Sequence, residues 1–304
     1  MPVKQDRILI FGAGVIGSAY AVKFIESGID VTMLARSNRY KILKKNGLQY
    51  GEKGTVKSIR VNVIDKLEND DIYDFIFVTV RYDQSESALL ALKDNQSKNI
   101  VTMTNNSFGF STWLEIVGYR LLPAFPAIGG QIKDSVLYTR IPPKALATAM
   151  FGEINGLVSE RVENLANIFN TAKLPYTINK DMKSYLITHS VSNISMISVL
   201  HSENKIIDEK TLKTRKNAHK ITINLKMYLN AIRKAGVPIT PSSFKIVLKC
   251  PNFLLDSLFM LWLRTKMVKD MLQPDFASNA NKEIEKLRSD LLKLLGQNGI
   301  TLSE

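Results

Sequence analysis

The stretch RILIFGAGVIGSAYAVKFIESGIDVTML, residues 7–34, restricts the fold more than any other part of the chain. RILIF at 7–11 is a short apolar run that reads as a buried strand. It passes without a spacer into Gly12, Gly14 and Gly17, the pattern G-x-G-x-x-G, at the mouth of an amphipathic helix that carries Ala21. Gly28 follows that helix, and DVTML at 30–34 supplies a second strand. Strand, glycine turn, helix and strand in this order make a parallel βαβ unit. Gly12 permits the tight turn, Gly14 lets the backbone approach a pyrophosphate, and Gly17 lets the helix pack close to the strand. The opening turn of the helix, at Val15, Ile16 and Gly17, presents free N–H groups and the positive end of the dipole to a phosphate. The expectation is a Rossmann-type α/β domain that holds a dinucleotide at Gly12, Gly14, Val15, Ile16 and Gly17. A strand–helix turn without a ligand is the competing explanation of the same glycines.

The end of the second strand selects the cofactor. An acid there would hold the ribose 2′-OH of NAD. This chain reads LARSNRYK instead, in which Arg36 and Arg39 offer cations and Ser37 and Asn38 offer neutral donors. Those groups suit a 2′-phosphate, and the expected cofactor is NADP(H). The alternative is that both arginines are exposed loop charges.

Further strand-like runs lie near 58–64, at 74–80 and at 99–104, the last two ending beside Arg81 and at Asn105 and Asn106. In an open parallel sheet the carboxyl ends of the strands border the ligand crevice, which places Arg81, Asn105 and Asn106 near cofactor or substrate. SVLYTRI near 135–141 and ALATAMFGE near 145–153 read as later, antiparallel additions. After YTIN, strand-like runs cease and helical periods take over. The division expected is a nucleotide-binding domain over residues 1–180 and an all-helical domain over 181–304. In the second, 216–236 reads as an amphipathic helix ending at Gly236, and 253–272 as a core or dimer helix.

One feature of that half is unusual. In YLITHSVSN, residues 185–193, Tyr185, His189 and Asn193 recur every four residues in an otherwise apolar run. On a helix they share one face.

At 304 residues the chain is long enough for two domains, each with a substantial core. A single cysteine, Cys250, rules out a disulfide within the chain, and the first residues lack the apolar core of a secretion signal. The setting expected is cytoplasmic, with no transmembrane segment. The net charge of +13 fits a nucleic acid, an anionic lipid, an anionic ligand or a solvated basic surface. The lysines are spread along the chain without an aromatic-interleaved basic motif, so a nucleic acid is not an expected partner; with no transmembrane segment expected, neither is a membrane. A homodimer is left open. His189, His201 and His219 form no metal-ligand spacing with Cys250, and no metal is expected.

The segments ILIFGAGVIGSAYA, LARSNR, VRYDQSESALLAL, TNNSFG, AIGGQI and FGE together resemble the ketopantoate reductase (2-dehydropantoate 2-reductase) family in order and spacing. The resemblance covers nearly the whole chain and is strongest for residues 1–155. It implies a Rossmann domain followed by an all-helical domain of the 6-phosphogluconate dehydrogenase C-terminal type, with the active site in the cleft between them. It implies NADPH as hydride donor in a step of pantothenate biosynthesis. It also implies Arg36 and Arg81 near the adenosine phosphate, and Asn106 near the nicotinamide and the substrate. In the helical half the family carries a lysine, with asparagines four and eight residues later. Aligned without gaps, these positions are Tyr185, His189 and Asn193, so only the last is kept. Lys183 lies two residues early, about 200° around the helix, and is expected to face away. Asp270 takes the place of a family serine, and Glu283 that of the family glutamate with one residue inserted.

Reduction of a 2-oxo acid needs hydride at the carbonyl carbon, a proton at its oxygen, and groups that polarise the oxygen and hold the carboxylate. Tyr185 can donate a phenolic proton. His189, expected to titrate near neutrality, can donate directly or polarise the tyrosine. Asn106 and Glu283 complete the expected catalytic set, and Asn193 and Asp270 the substrate contacts. Lys183 as donor, or loss of catalysis with cofactor binding kept, are the alternatives.

Overall fold

The computed structural model describes residues 6–52, 54–145, 147–200, 212–265, 268 and 274–302. The chain divides into two compact units. One comprises residues 1–104 and 110–182, the other residues 105–109 and 183–304.

The first unit is built on an eight-stranded sheet. Within it β1 (Arg7–Phe11) is flanked by β2 (Asp30–Leu34) and by β6 (Phe75–Val78), both parallel to it. Between β2 and β6 in the chain come β3 (Leu48–Glu52), β4 (Thr55–Ile59) and β5 (Asn62–Ile64); beyond β6 come β7 (Ile100–Met103) and β8 (Leu121–Phe125). The pairs β2–β5, β6–β7 and β7–β8 are also parallel. β6 and β7 are buried throughout and β1 at every residue but Arg7, and apart from Arg7 and Thr102 all are apolar, as strands covered on both faces must be. In register, Phe11 faces Leu34 on one side and Val78 on the other. Gly12, Arg36 and Arg81 therefore leave the sheet along one edge, at its carboxyl ends.

Past β8, the strand β11 (Ala149–Phe151) runs antiparallel, and β12 (Tyr176–Ile178) continues parallel to β11. The expected antiparallel addition near 145–153 is present. A second, four-stranded sheet departs from the sequence reading. It has the order β4–β3–β10–β9, with β9 at Gly129–Lys133 and β10 at Val136–Arg140. The run expected as one strand near 58–64 is two strands in different sheets, β4 and β5, interrupted at Arg60 and Val61.

Helices α1 (Val15–Glu26), α2 (Ser37–Asn46), α3 (Tyr82–Ala91), α4 (Ser111–Val117) and α5 (Glu160–Thr171) belong to this unit. Tyr20 and Phe24 of α1 pack against Phe77 of β6 and Phe169 of α5, with ring centroids 5.3–6.2 Å apart. Such contacts add to the area term that dominates a core.

Among the described residues the second unit is helical: α6 (Met182–Leu200), α7 (Arg215–Lys234), α8 (Ser243–Lys249), α9 (Asn252–Trp262) and α10 (Pro274–Gln297). Thr214 caps α7 by accepting from the Asn217 N–H, and Gly236, with φ at +78°, follows its end. Val199 and Leu200 of α6, Ile221 of α7, and Leu263 form a core of this unit. Of the segment 253–272 expected as a core or dimer helix, α9 covers the first part and residues 266, 267 and 269–272 lie outside the described residues; α9 is buried on one side only. Leu255 and Asp256 of α9 are buried, whereas Phe253, Leu254, Leu258 and Leu261 are exposed.

Candidate functional site

The glycine turn of the first unit is shaped by contacts that leave no room at one glycine and ample room at another. A Cβ on Gly17 would lie 2.0 Å from the Gly12 carbonyl oxygen and 2.5 Å from the Thr79 hydroxyl. Only glycine allows α1 to approach β1 and β6 this closely. A Cβ on Gly14 meets no atom within 4 Å, so the space a side chain would take stands open beside the start of α1. Gly12, at φ +117°, takes a conformation that favours glycine.

The carbonyls of the turn are held from behind. The Thr79 hydroxyl donates to Gly12 O at 2.8 Å, and the Ser18 hydroxyl donates to Ala13 O at 3.3 Å. Arg39 Nε donates to the same Ala13 O at 3.2 Å, and its Nη2 to the Ser18 hydroxyl. With its carbonyls engaged behind, the turn is suited to offer the first N–H groups of α1, at Val15, Ile16 and Gly17, to an anion. The residues present therefore fit a dinucleotide pyrophosphate.

The two arginines after β2 differ in role. Arg36 is exposed, with its guanidinium 5.9 Å from the centroid of the Phe11 ring. Arg39 turns inward, reaches the Ser135 carbonyl as well as the turn, and is drawn below its usual pKa by burial. Of the pair expected to meet a 2′-phosphate, Arg39 is spent on bracing the glycine turn, and Arg36 is the cation at the surface. Arg81 stands at the start of α3, where its Nε and Nη2 grip Asp83 in a two-point ion pair at 2.9 and 3.0 Å. A phosphate at Arg81 has to share that guanidinium with Asp83.

The second unit assembles a different arrangement around residues 105–109, which continue the chain from β7. Asn193 Nδ2 donates to Asn105 Oδ1 at 3.0 Å, and Asn105 Nδ2 donates to Glu283 Oε1 at 2.9 Å. One turn along α10 from Glu283, the Leu287 carbonyl accepts from the Ser107 hydroxyl at 2.7 Å. The loop is thus tied to α6 by one asparagine and to α10 at two points. Gly109, at φ +119°, closes it, and a Cβ there would lie 3.1 Å from Lys183 Cε.

The Asn106 side chain is engaged within its own loop. Its Oδ1 accepts from the N–H groups of Phe108 and Gly109, and its Nδ2 donates to Gly109 O. The side chain is buried and shapes the loop that carries Asn105. Asn105, left out of the expected catalytic set, is the residue that joins Asn193 to Glu283. Lys183 also departs from expectation. It lies against the same loop, at Gly109, because on a helical wheel it falls about 80° from Asn193 and its long side chain spans that angle.

Tyr185 and His189 stack on α6 with centroids 6.0 Å apart and planes 19° apart. Burial pushes the Tyr185 hydroxyl up to about 12. His189 keeps some exposed surface but is crowded by protein, and that desolvation pushes it down to about 4. The expectation that His189 titrates near neutrality is therefore corrected: at neutral pH its imidazole is uncharged. Asp270 lies outside the described residues.

Residues 8–115 match the family model described as ketopantoate reductase PanE/ApbA. A 2-dehydropantoate 2-reductase of Aquifex aeolicus (strain VF5) is 27% identical over 194 residues, which are 62% of this chain and 61% of that protein's length. In structure the chain is similar to 2-dehydropantoate 2-reductase from Geobacter metallireducens GS-15, with a TM-score of 0.74 and 17% identity over 97% of this chain and 95% of the other. It is also similar to a D-mandelate dehydrogenase solved with NADH, with a TM-score of 0.71 and 13% identity over 97% and 93%. At these identities the structural likenesses show a shared fold, a Rossmann-like domain followed by helices. The chain is thus similar in sequence to the ketopantoate reductase family over residues 8–115, and over nearly its whole length the likeness to solved structures is one of fold.

Proposed function

We propose that the chain is an NADPH-dependent reductase of a small, anionic 2-oxo acid, with 2-dehydropantoate as the first substrate to test. The observation that carries this reading is the glycine turn: Gly17 admits no side chain, while Gly14 leaves open the space a pyrophosphate needs. The likeness to a 2-dehydropantoate 2-reductase supports the reaction class and sets the substrate to test first. NADPH is preferred over NADH because Arg36 stands exposed after β2 with no acid in LARSNR.

A bound dihydronicotinamide supplies hydride to the carbonyl carbon. The chain's own task is the proton and the charge. An alkoxide is a stronger base than a phenolate, so Tyr185 gives up its proton to the developing alkoxide even with its pKa raised to about 12. His189, neutral and stacked on Tyr185, keeps that neighbourhood free of an extra charge. Asn193, held by Asn105, has a further N–H with which to bind a substrate oxygen. Lys183 beside Gly109 is the second candidate donor.

The test is oxidation of NADPH with 2-dehydropantoate, then with a panel of 2-oxo acids. Arg36→Ala should weaken NADPH and leave NADH nearly untouched in a binding titration; equal losses for both would sink the cofactor assignment. A second reading is favoured by the raised Tyr185 and lowered His189, neither of which is a ready acid at neutral pH. In that reading the chain binds NADPH as a sensor. Tight NADPH binding with no turnover on any 2-oxo acid selects it.

A further inference from the structure

Residues 212–265, the α7–α9 segment, hold ten lysines and arginines and a single acid. Nine of the thirteen net positive charges of the chain fall on these 54 residues. The one acid, Asp256, is buried and pairs with His219 at 2.9 Å, so it offers no negative charge at the surface. The same segment exposes an apolar stripe. Leu254, Leu258 and Leu261 are 46, 60 and 63% exposed, with Phe253 of the same helix at 57% and Ile246 of α8 at 67%. Leu254, Leu258 and Leu261 stand at i, i+4 and i+7 and share one face of α9. Exposed Lys245 and Lys249 flank Ile246 on α8, and exposed Arg264 follows α9.

We propose that this α8–α9 surface docks on an anionic lipid surface, as a peripheral contact. No described helix is long and apolar enough to cross a membrane, and none is needed. An interfacial helix buries one apolar face at the boundary between headgroups and chains while basic residues meet the anionic headgroups. Three exposed leucines on one face of α9, in a segment this basic, are otherwise hard to reconcile with a solvated surface. This departs from the expectation of no membrane partner. The lysines are spread, but the acids that would neutralise them are missing from one segment. A second copy fits less well, because it would bring the same excess of positive charge to the contact with no exposed acid to answer it. A nucleic acid would leave the leucines and Phe253 without a partner.

The test is co-sedimentation of the full chain with phosphatidylcholine vesicles, with and without phosphatidylglycerol, at low and high salt. Binding is expected only with phosphatidylglycerol and is expected to fall as salt rises. Lys245→Gln with Lys249→Gln should weaken binding about 30-fold, on the basis of roughly 1 kcal/mol per basic residue. Leu258→Gln with Leu261→Gln should abolish it, with NADPH affinity and circular dichroism unchanged in both variants. Both pairs are exposed, so folding is not expected to depend on them. Failure of the wild-type chain to bind these vesicles overturns the proposal. So does binding that neither pair alters. A dimer in sedimentation velocity that the leucine pair dissociates, without vesicle binding, assigns the face to a second copy instead.

Discussion

Two turns carry the candidate chemistry, each following a parallel strand, and they are built by opposite means. The turn after β1 works through what it lacks. Gly17 has no side chain because the Gly12 carbonyl occupies the place, and Gly14 has none where a ligand needs the room. The turn after β7 works through what it adds. Asn105, Asn106 and Ser107 each spend a side chain on holding the loop or tying it to α6 and α10. A glycine turn of the first kind is a backbone device and tolerates little change. An amide-bonded turn of the second kind depends on partners that a lineage can exchange pair by pair.

The largest expected effect separates the two by function. Tyr185→Phe removes only a hydroxyl. If that hydroxyl is the donor, turnover should fall by ~10²–10⁴-fold with NADPH affinity unchanged. Lys183→Ala should then have little effect, and the reverse result would move the role to the lysine beside Gly109. Gly14→Ala should do the opposite of Tyr185→Phe, weakening NADPH while leaving the unliganded fold intact, because the added Cβ meets nothing within 4 Å.

The next effect concerns stability. Gly17→Ala puts a methyl 2.0 Å from a backbone carbonyl that cannot yield as a side-chain tip would. The cost expected is about 3 kcal/mol, the upper part of the overpacking range, read as a lower urea midpoint for the full chain. An equal, small change for Gly14→Ala and Gly17→Ala would show that the close packing of α1 on β1 is not rigid.

Much of the first unit was legible in the sequence because its signals are local. DVTML at 30–34 is β2 to the residue, since an apolar run bounded by Gly28 and polar LARSNR has few other readings. The second sheet was not legible in full. LQYGE and GGQIK, the strands β3 and β9, carry glycines and half-exposed polar residues in place of an apolar run. Their pairing partners decide their state, and partners are not local information. The same limit applies at the candidate site. Tyr185, His189 and Asn193 could be aligned by counting fours. The bond from Asn105 to Glu283 spans 178 positions, and no spacing rule reaches that far. The polarity of TNNSFG was visible, but not which asparagine turns inward. Only the bonds of the fold show that Asn106 accepts from the Gly109 N–H of its own loop while Asn105 reaches Asn193 and Glu283.

Acid should act on the second unit through His189. Its pKa in the fold, about 4, lies below the ordinary histidine value of 6.5. The unfolded chain therefore binds the extra proton first, and this contribution to stability, present above about pH 6.5, is lost as pH falls toward 4. The size expected is on the order of 2 kcal/mol, given about 1.4 kcal/mol per pKa unit and the partial exposure of the ring. His189→Asn should flatten the pH dependence of the urea midpoint over that window. Tyr185 adds a loss at the other extreme. Its raised pKa of about 12 favours the fold below the ordinary value near 10, and that advantage disappears as pH rises from 10 through 12.

The smallest expected effect tests the amide-bonded turn directly. Asn105→Ala leaves the Asn193 donor and the Glu283 acceptor without this partner. A typical hydrogen bond contributes about 0.5–1.5 kcal/mol. Both outer residues are half-buried and regain some water, so the pair should cost about 1 kcal/mol. Asn105→Asp is the sharper variant. It keeps an acceptor for Asn193 but sets a second carboxylate against Glu283, where the bond in the native chain needs a donor. It should therefore cost more than Asn105→Ala at neutral pH. Adding Glu283→Gln to Asn105→Asp should recover most of the loss, because the glutamine amide now donates to the aspartate. That recovery is a coupling between two positions, which a general loosening of the loop would not produce. If Asn105→Asp is no worse than Asn105→Ala, or if Glu283→Gln fails to rescue it, the link between α6, the loop and α10 does not form as described.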